Sequence, residues 1–433
     1  MARASSANRR TPATGGLGPP SALGIGQLTL VEHALCPLNS RVSLVENMVH
    51  NAVFLFTDGK SQRRHGRAQV VCPAGLSPAD EFYLWGLLAI TLSEPEPDAE
   101  FCATPHYCLR RLGVIDQFAR RGGRQYGQFL QAIERLSLVR YRNDNFYDPI
   151  RGEHRRVSFG FFGYSLPLDL ESSRAWRFGW DPIFFRLAQA AGGHLRFDLT
   201  VYRQLDPASR RLFLFVSKLF HRQATARIDL AALAVDVLGF APTMAIRNLR
   251  AKLGVCCRRL VELDILSDVL YERTKKGKYI VVLNRGASFG HRTRRDGRSV
   301  ASECSLSDPL RAIGFDERSI GRLVRGYPIR LLQEWADITL AAIERHGRRF
   351  FKRSPQAYFI DNVRHAAAGQ RTPPDWWHQL RKSEHQVARR SPRPAPPNRK
   401  NLPTSAAEIL QSAAGDRTAS MNEAVRSLFR RQN

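Results

Sequence analysis

The side chains that could do chemistry in this sequence stand at helical spacing, and they are cations and amides rather than nucleophiles. Between Pro242 and Leu263, the positions Ile246, Leu249, Leu253, Cys256, Leu260 and Leu263 alternate at intervals of three and four, which predicts one buried helical face. The opposite face carries Thr243, Arg247, Asn248, Ala251, Gly254 and Arg258, with Arg250, Lys252 and Arg259 on its flanks. Arg can hold guanine O6 and N7 at two points, and Asn can do the same for adenine N6 and N7. The N-terminal half of a helix laid in the major groove reaches the bases. Thr243, Arg247, Asn248 and Arg250 are therefore candidate base readers, with Arg258 and Arg259 as candidate phosphate clamps. A second helix, from Arg124 to Ser137, turns Tyr126, Phe129, Leu130, Ile133 and Leu136 inward. Its outer face shows Arg124, Gln125, Gln128 and Gln131, and Arg120 and Arg121 precede it. Gln suits adenine, and Arg suits phosphate or guanine.

Both helices sit in the same order of elements. In the first copy, Pro78 to Ser93 reads as an amphipathic helix. Thr104 to Leu112 reads as a short helix with Thr104 as cap, Pro105 at the first helical position and Gly113 as the stop. The Arg124 helix follows, and then strand-like alternation over Leu138 to Tyr147 and Arg155 to Leu166. In the second copy the order is Pro207 to His221, Asp229 to Leu238 closed by Gly239, Pro242 to Leu263, and strands over Ile265 to Glu272 and Lys278 to Leu283. Each copy has a Leu-Gly stop (Leu112-Gly113, Leu238-Gly239) and, a little over twenty residues on, an Arg-Leu pair (Arg135-Leu136, Arg259-Leu260). Helix, helix, helix, hairpin is the winged helix-turn-helix plan, here duplicated. The hairpin tips are basic: Arg151, Arg155 and Arg156 in the first, Arg273, Lys275, Lys276 and Lys278 in the second. Such tips suit backbone or minor-groove contact.

Other chemistries fail on spacing. Gly59-Lys60-Ser61 resembles the end of a phosphate-binding loop, but Phe54 stands where that loop requires Gly, and no helix opens at the Lys. There is no His-x-His pair with a downstream Tyr, and no aspartate cluster to hold two metals for nucleotidyl transfer. Asp144 and Asp148 read as turn formers. The seven cysteines (36, 72, 102, 108, 256, 257 and 304) include no Cys-x-x-Cys, so they read as reduced thiols without structural zinc. Cys256 and Cys257 are expected as one buried thiol and one at a helix edge. The expectation is a non-enzymatic chain with no catalytic residue, no metal and no cofactor.

Charge sets the partner. Of 433 residues, 66 are Lys or Arg and 39 are Asp or Glu, a net +27 that points to a polyanion and most often to nucleic acid. No stretch approaches the roughly 20 uninterrupted apolar residues of a bilayer span, which argues against an integral membrane protein. The first 27 residues are Gly/Pro-rich and basic without an amphipathic helix or an apolar signal core, and read as a disordered arm. Composition then divides the chain at 28–170 and 171–285 (two winged-helix domains), 286–303 (basic linker) and 304–382 (a helical C-terminal module). From 383 to 433 it reads as a Pro/Arg-rich, mostly disordered tail, with a short helix over Met421 to Arg431. The fold class expected is α+β: two tandem winged helix-turn-helix domains, then a small helical region, with disordered basic tails.

The run from Leu28 to about Leu283 resembles the bacterial plasmid replication initiator protein A family, relatives of the two-winged-helix iteron-binding initiators. The likeness lies in LTLVEHALCPLNSR (Leu28 to Arg41), ADEFYLWGLLAIT (Ala79 to Thr91), and GGRQYGQFLQAIERLSLVRYRNDNFYD (Gly122 to Asp148). It continues in LDPASRRLFLFVSKLFHRQ (Leu205 to Gln223) and IRNLRAKLGVCCRRLVELDIL (Ile246 to Leu266). It covers about 60% of the chain. The resemblance implies double-stranded DNA binding at origin repeats, opening of an adjacent AT-rich region and recruitment of host replication initiation proteins or helicase. It also implies a homodimer through the first domain that dissociates to a monomer, in the cytoplasm with the nucleoid or plasmid. The segment from Ser305 to Lys382 departs from that family's minimal plan. The fold equally serves a winged-helix transcriptional regulator, and the charge equally suits an RNA-bound or structural basic protein.

Overall fold

Capping chemistry sets the frame. The computed structural model describes residues 22–57, 62–94, 96–115, 123–169, 172–274, 278–288 and 304–390. The first set of repeated elements is α2 (Asp80–Leu92), β4 (Glu100–Ala103), α3 (Pro105–Arg111), α4 (Gly123–Ser137), β5 (Arg140–Asp148) and β6 (Glu153–Phe159). The second is α7 (Pro207–Leu219), β10 (Thr225–Asp229), α8 (Leu230–Ala232), α9 (Ile246–Glu262), β11 (Leu266–Arg273) and β12 (Tyr279–Arg285), with a π-helical turn over Leu233–Val237 after α8. Thr104 Oγ1 accepts from Tyr107 N at 3.1 Å, and Asp229 Oδ1 accepts from Ala232 N at 3.0 Å, so the second helix of each set has a side-chain cap. Gly113 and Gly239 end those helices at φ of 64° and 83°, a left-handed turn that Gly enters without strain.

A second equivalence explains the Arg-Leu spacing. Arg135 on α4 donates from Nε and Nη2 to the two carboxylate oxygens of Asp80, both at 2.7 Å. Arg259 on α9 donates to Asp206, whose other oxygen caps α7 by accepting from Ala208 N and Ser209 N. Each third helix is thus tied by an arginine to an acid at the start of its own first helix.

The remaining elements are β1 (Leu23–Gln27), α1 (Ser40–Ser43), β2 (Met48–Thr57), β3 (Arg63–Cys72), β7 (Phe162–Ser165), β8 (Trp176–Trp180), α5 (Pro182–Gln189), β9 (His194–Asp198) and α6 (Leu199–Gln204). All pairings in the four small sheets are antiparallel: β1-β9, β2-β3-β5-β6, β4-β8-β7 and β10-β12-β11. The two repeats therefore differ. In the second, the strand between the first two helices pairs with the hairpin; in the first, β4 pairs with β8, and the hairpin instead joins β2-β3. The expected single strand from Arg155 to Leu166 is broken in two, because Gly160 N donates to Asp181 Oδ2 and the backbone of the buried Phe161 accepts from Asp181 N. β1 lies inside the stretch expected to be a disordered arm; residues 1–21 lie outside the described residues.

α2 was expected to be amphipathic, yet Asp80 through Thr91 are all buried. β1 packs on one side and α3 and α4 on others, so no face is left for water. Its two acids are consequently paired: Asp80 with Arg135, and Glu81 with Arg211 of α7. Arg211 Nη1 also donates to Leu238 O at 2.7 Å, and its Nε lies 3.1 Å from Glu81 Oε1. The buried side chains from Ile25 to Leu283 form one continuous core across residue 170.

The C-terminal helices are α10 (Ser307–Ile313), α11 (Glu317–Gly326), α12 (Ile329–His346), α13 (Pro355–Ala367) and α14 (Asp375–Arg390), so the last runs past the expected end at 382. They have their own core, with Leu310, Trp335, Ile338, Phe359, Val363 and Trp377 at its centre. Buried Arg174 binds them to the rest: Nε donates to Asp337 at 2.8 Å, Nη1 to Glu384 at 2.6 Å, and the guanidinium lies 5.2 Å from the Trp377 ring centre. Residues 289–303 of the expected linker and 391–433, including the expected helix from Met421, lie outside the described residues.

Removing one member of a buried, hydrogen-bonded ion pair strands the other charge. Arg211→Met should therefore cost about 3–5 kcal/mol in urea unfolding, and the double variant Glu81→Leu with Arg211→Met should recover most of it. Equal losses in the single and double variants would show that the pair does not govern stability.

Candidate nucleic-acid interface

The sequence marked seventeen residues; the structure sorts them by what holds them. α9 begins at Ile246, not at Pro242. Pro242 and Thr243 lie in a turn where Met244 N donates to Ala241 O, so Thr243 is exposed ahead of the helix rather than on its face. Leu249, Leu253, Cys256, Cys257 and Leu260 are buried as a continuous stripe. Ile246 was expected inside and is 43% exposed; Met244 of the preceding turn packs against the core instead.

Arg247 and Asn248 stand exposed on the first turn of α9, and Arg258 is exposed near its end. Arg250 behaves differently. Its guanidinium lies 4.8 Å from the ring centre of Tyr271 and 5.6 Å from that of Tyr279, one on each strand of the following hairpin. It braces helix against hairpin while staying exposed on the second turn of α9. Arg259 is paired with Asp206, both side chains well exposed, a surface pair of the kind a phosphate can displace. Gly254 faces the hairpin, since a Cβ there would meet Tyr271 Oη at 3.7 Å. Lys252 Nζ lies 5.6 Å from the Phe240 ring centre. Both thiols of the Cys256–Cys257 pair are buried, rather than one. Burial raises them, to about 11 and about 12, so they are protonated and unreactive at neutral pH.

On α4, Arg124, Gln128 and Gln131 are exposed, and Gln125 is half-buried. Phe129, Ile133 and Leu136 fill the core beneath, and the Tyr126 hydroxyl lies 2.8 Å from His106 Nδ1. Arg120 and Arg121 lie outside the described residues, as do Lys275, Lys276 and the Gly59-Lys60-Ser61 stretch. In the first hairpin Arg155 lies 3.6 Å from Asp148 and 3.5 Å from Glu153, and Arg156 lies 3.1 Å from Asp144. Surface pairs of this kind are worth at most about 1 kcal/mol, so a phosphate can displace the carboxylates. Asp148 Oδ1 also accepts from Ile150 N at 2.9 Å, the turn-forming role expected of it. Lys278 is exposed at the base of the second hairpin tip, where its N–H donates to Thr274 Oγ1.

One basic surface escaped the reading of helices. The outer face of β2-β3-β5-β6 shows His65, Arg67, Arg140 and Arg142, with Gln69 opposite Arg142 in register. Arg140 Nε donates to Ser158 Oγ at 3.1 Å. The period-two placement of Arg140 and Arg142 was the available signal. Among the described residues, no three His, Cys, Asp or Glu side chains gather as a metal site, and no helix is long and apolar enough to cross a membrane.

No family model matches this chain, and no curated protein matches it. Among solved structures it is similar to the crystal structure of domains 2 and 3 of RctB, at a TM-score of 0.39 and 13% identity, over 60% of this chain and 96% of that one. At that score the likeness fixes neither fold nor function.

The sorted side chains predict separable effects. Arg250→Ala should lower thermal stability by about 0.5–1 kcal/mol, whereas Arg247→Ala should leave it within about 0.5 kcal/mol. Calorimetry that ranks the two the other way would remove the brace.

Proposed function

We propose that this chain is a sequence-specific double-stranded DNA-binding protein, built on two tandem winged helix-turn-helix units, that initiates replication of a replicon. In this reading it binds origin repeats, promotes opening of the adjacent duplex, recruits host replication initiation proteins or helicase, and acts without catalysing a reaction. One observation carries the reading. The first turn of α9 presents Arg247 and Asn248 to solvent, with Arg250 exposed against the hairpin and Arg259 exposed near the far end in a surface pair with Asp206. A guanidinium and an amide side by side on a helix N-terminus, with a basic hairpin beside them, are the means of reading guanine and adenine edges. The exposed Arg124, Gln128 and Gln131 on α4 repeat the arrangement in the first unit.

Two units placed about one duplex turn apart, roughly 34 Å, would cover on the order of 20 base pairs. Footprinting should show such a protected repeat, and affinity should fall with salt at a log–log slope of about −6 to −10. Arg247→Ala should relax discrimination between sites, and Arg258→Ala should weaken all sequences alike. Equal binding of wild type to random duplex would overturn sequence-specific recognition. An origin-less replicon carrying the gene and its neighbouring repeats should be maintained; failure there with an intact footprint would leave a transcriptional regulator.

The homodimer belongs to the first unit. β2 is the edge of its sheet and exposes Val49, Val53 and Leu55, by 53%, 37% and 51%. An exposed apolar edge strand is a template for pairing with another chain. Sedimentation should show a wild-type dimer that Leu55→Lys converts to monomer. A wild-type chain that is monomeric at every reachable concentration would remove this interface.

A further inference from the structure

The C-terminal helices carry a basic surface that neither third helix accounts for. α12 ends at His346, and Gly347, at φ 68°, turns the chain into a short 3-10 turn over Arg348–Phe350. Residues 345–353 read Arg-His-Gly-Arg-Arg-Phe-Phe-Lys-Arg, five cations and no carboxylate. Arg345, Arg348, Arg349, Lys352 and Arg353 are all exposed, and among the described residues none of the five is ion-paired. The nearby acids are engaged elsewhere: Glu344 accepts from Ser172 Oγ, and Asp361 pairs with Arg371 at 2.7 Å.

Rings stand between these cations. Phe350 is stacked on His346 at 5.0 Å and 20°, with Tyr358 edge-on at 5.9 Å, yet 42% of it stays open to solvent. Arg345 lies 5.6 Å from the ring centre of Trp376, which in turn meets His346 edge-on. Unneutralised cations would track a phosphate backbone, and an exposed ring held by its neighbours offers a stacking platform. A duplex exposes a base face only where a step is kinked open, whereas an unpaired strand offers its base faces along its length.

We propose that the Arg345–Arg353 surface binds single-stranded DNA, its cations on the phosphates and Phe350 stacked on a base. The choice of DNA rather than RNA rests on the duplex-DNA reading above. An opened duplex would supply the strand.

The test uses the full chain and fluorescence anisotropy with labelled dT20, a 20-base-pair random duplex and rU20. Loss of a stacked base corresponds to about 5- to 150-fold. Phe350→Ala should weaken dT20 binding by that factor with less than about twofold change on duplex, and Phe350→Trp should retain it. Arg348→Ala with Arg349→Ala should reduce the log–log salt slope on dT20 by about 1.4, at about 0.7 per lost phosphate contact. The double-arginine variant carries the test if Phe350→Ala does not fold. Wild-type affinity for dT20 in both variants, or an equal loss on duplex, would overturn the proposal. A preference for rU20 of more than about tenfold would overturn the choice of DNA. Arg247→Ala should leave dT20 binding unchanged, so failure of the duplex reading and failure of this one are read on separate probes.

Discussion

A single buried arginine decides how the two repeats can sit. Arg211 lies in the first helix of the second repeat and reaches Glu81 in the first helix of the first, with Leu238 O filling another of its donors. Both charges are inside, where an unpaired one would cost several kcal/mol. The repeats are therefore committed to one packing. β1, laid against β9 and α2, closes the joint from the side. Any surface made from both repeats inherits its geometry from this contact.

The same logic recurs within each repeat. Arg135 to Asp80 and Arg259 to Asp206 tie the third helix to the start of the first, near the C-terminal end of the third helix. Arg250 then fixes the hairpin to α9 through Tyr271 and Tyr279. Anchors in the second turn and near the far end fix the direction of the first turn of α9. A helix held this way presents Arg247 and Asn248 in a set direction.

Much of the frame was legible because it depends on local chemistry. Thr104 is a cap, Gly113 and Gly239 are left-handed stops, and the inward stripe from Leu249 to Leu260 has a helical period, while the cap at Asp229 came only with the structure. The errors share a cause. Thr243 was placed on the helix because periodicity does not register the turn around Pro242. The amphipathic reading of α2 fails because the arginine partners that let Asp80 and Glu81 be buried lie 55 and 130 positions away. The pairing of β4 with β8 instead of the hairpin, and the docking of the C-terminal helices through Arg174, depend on contacts of the same long range.

The candidate interface divides along the same line. The sequence by itself determined which helices carry an outer face of cations and amides, because residue type and helical period are properties of a few adjacent turns. Only the tertiary structure decided what each of their cations rests against. Arg247, Arg250, Arg258 and Arg259 all stay exposed, but Arg250 leans on an aromatic pair of the hairpin and Arg259 on a carboxylate 53 positions away. A charge meets its neighbours in space, and spacing along the chain does not carry that information.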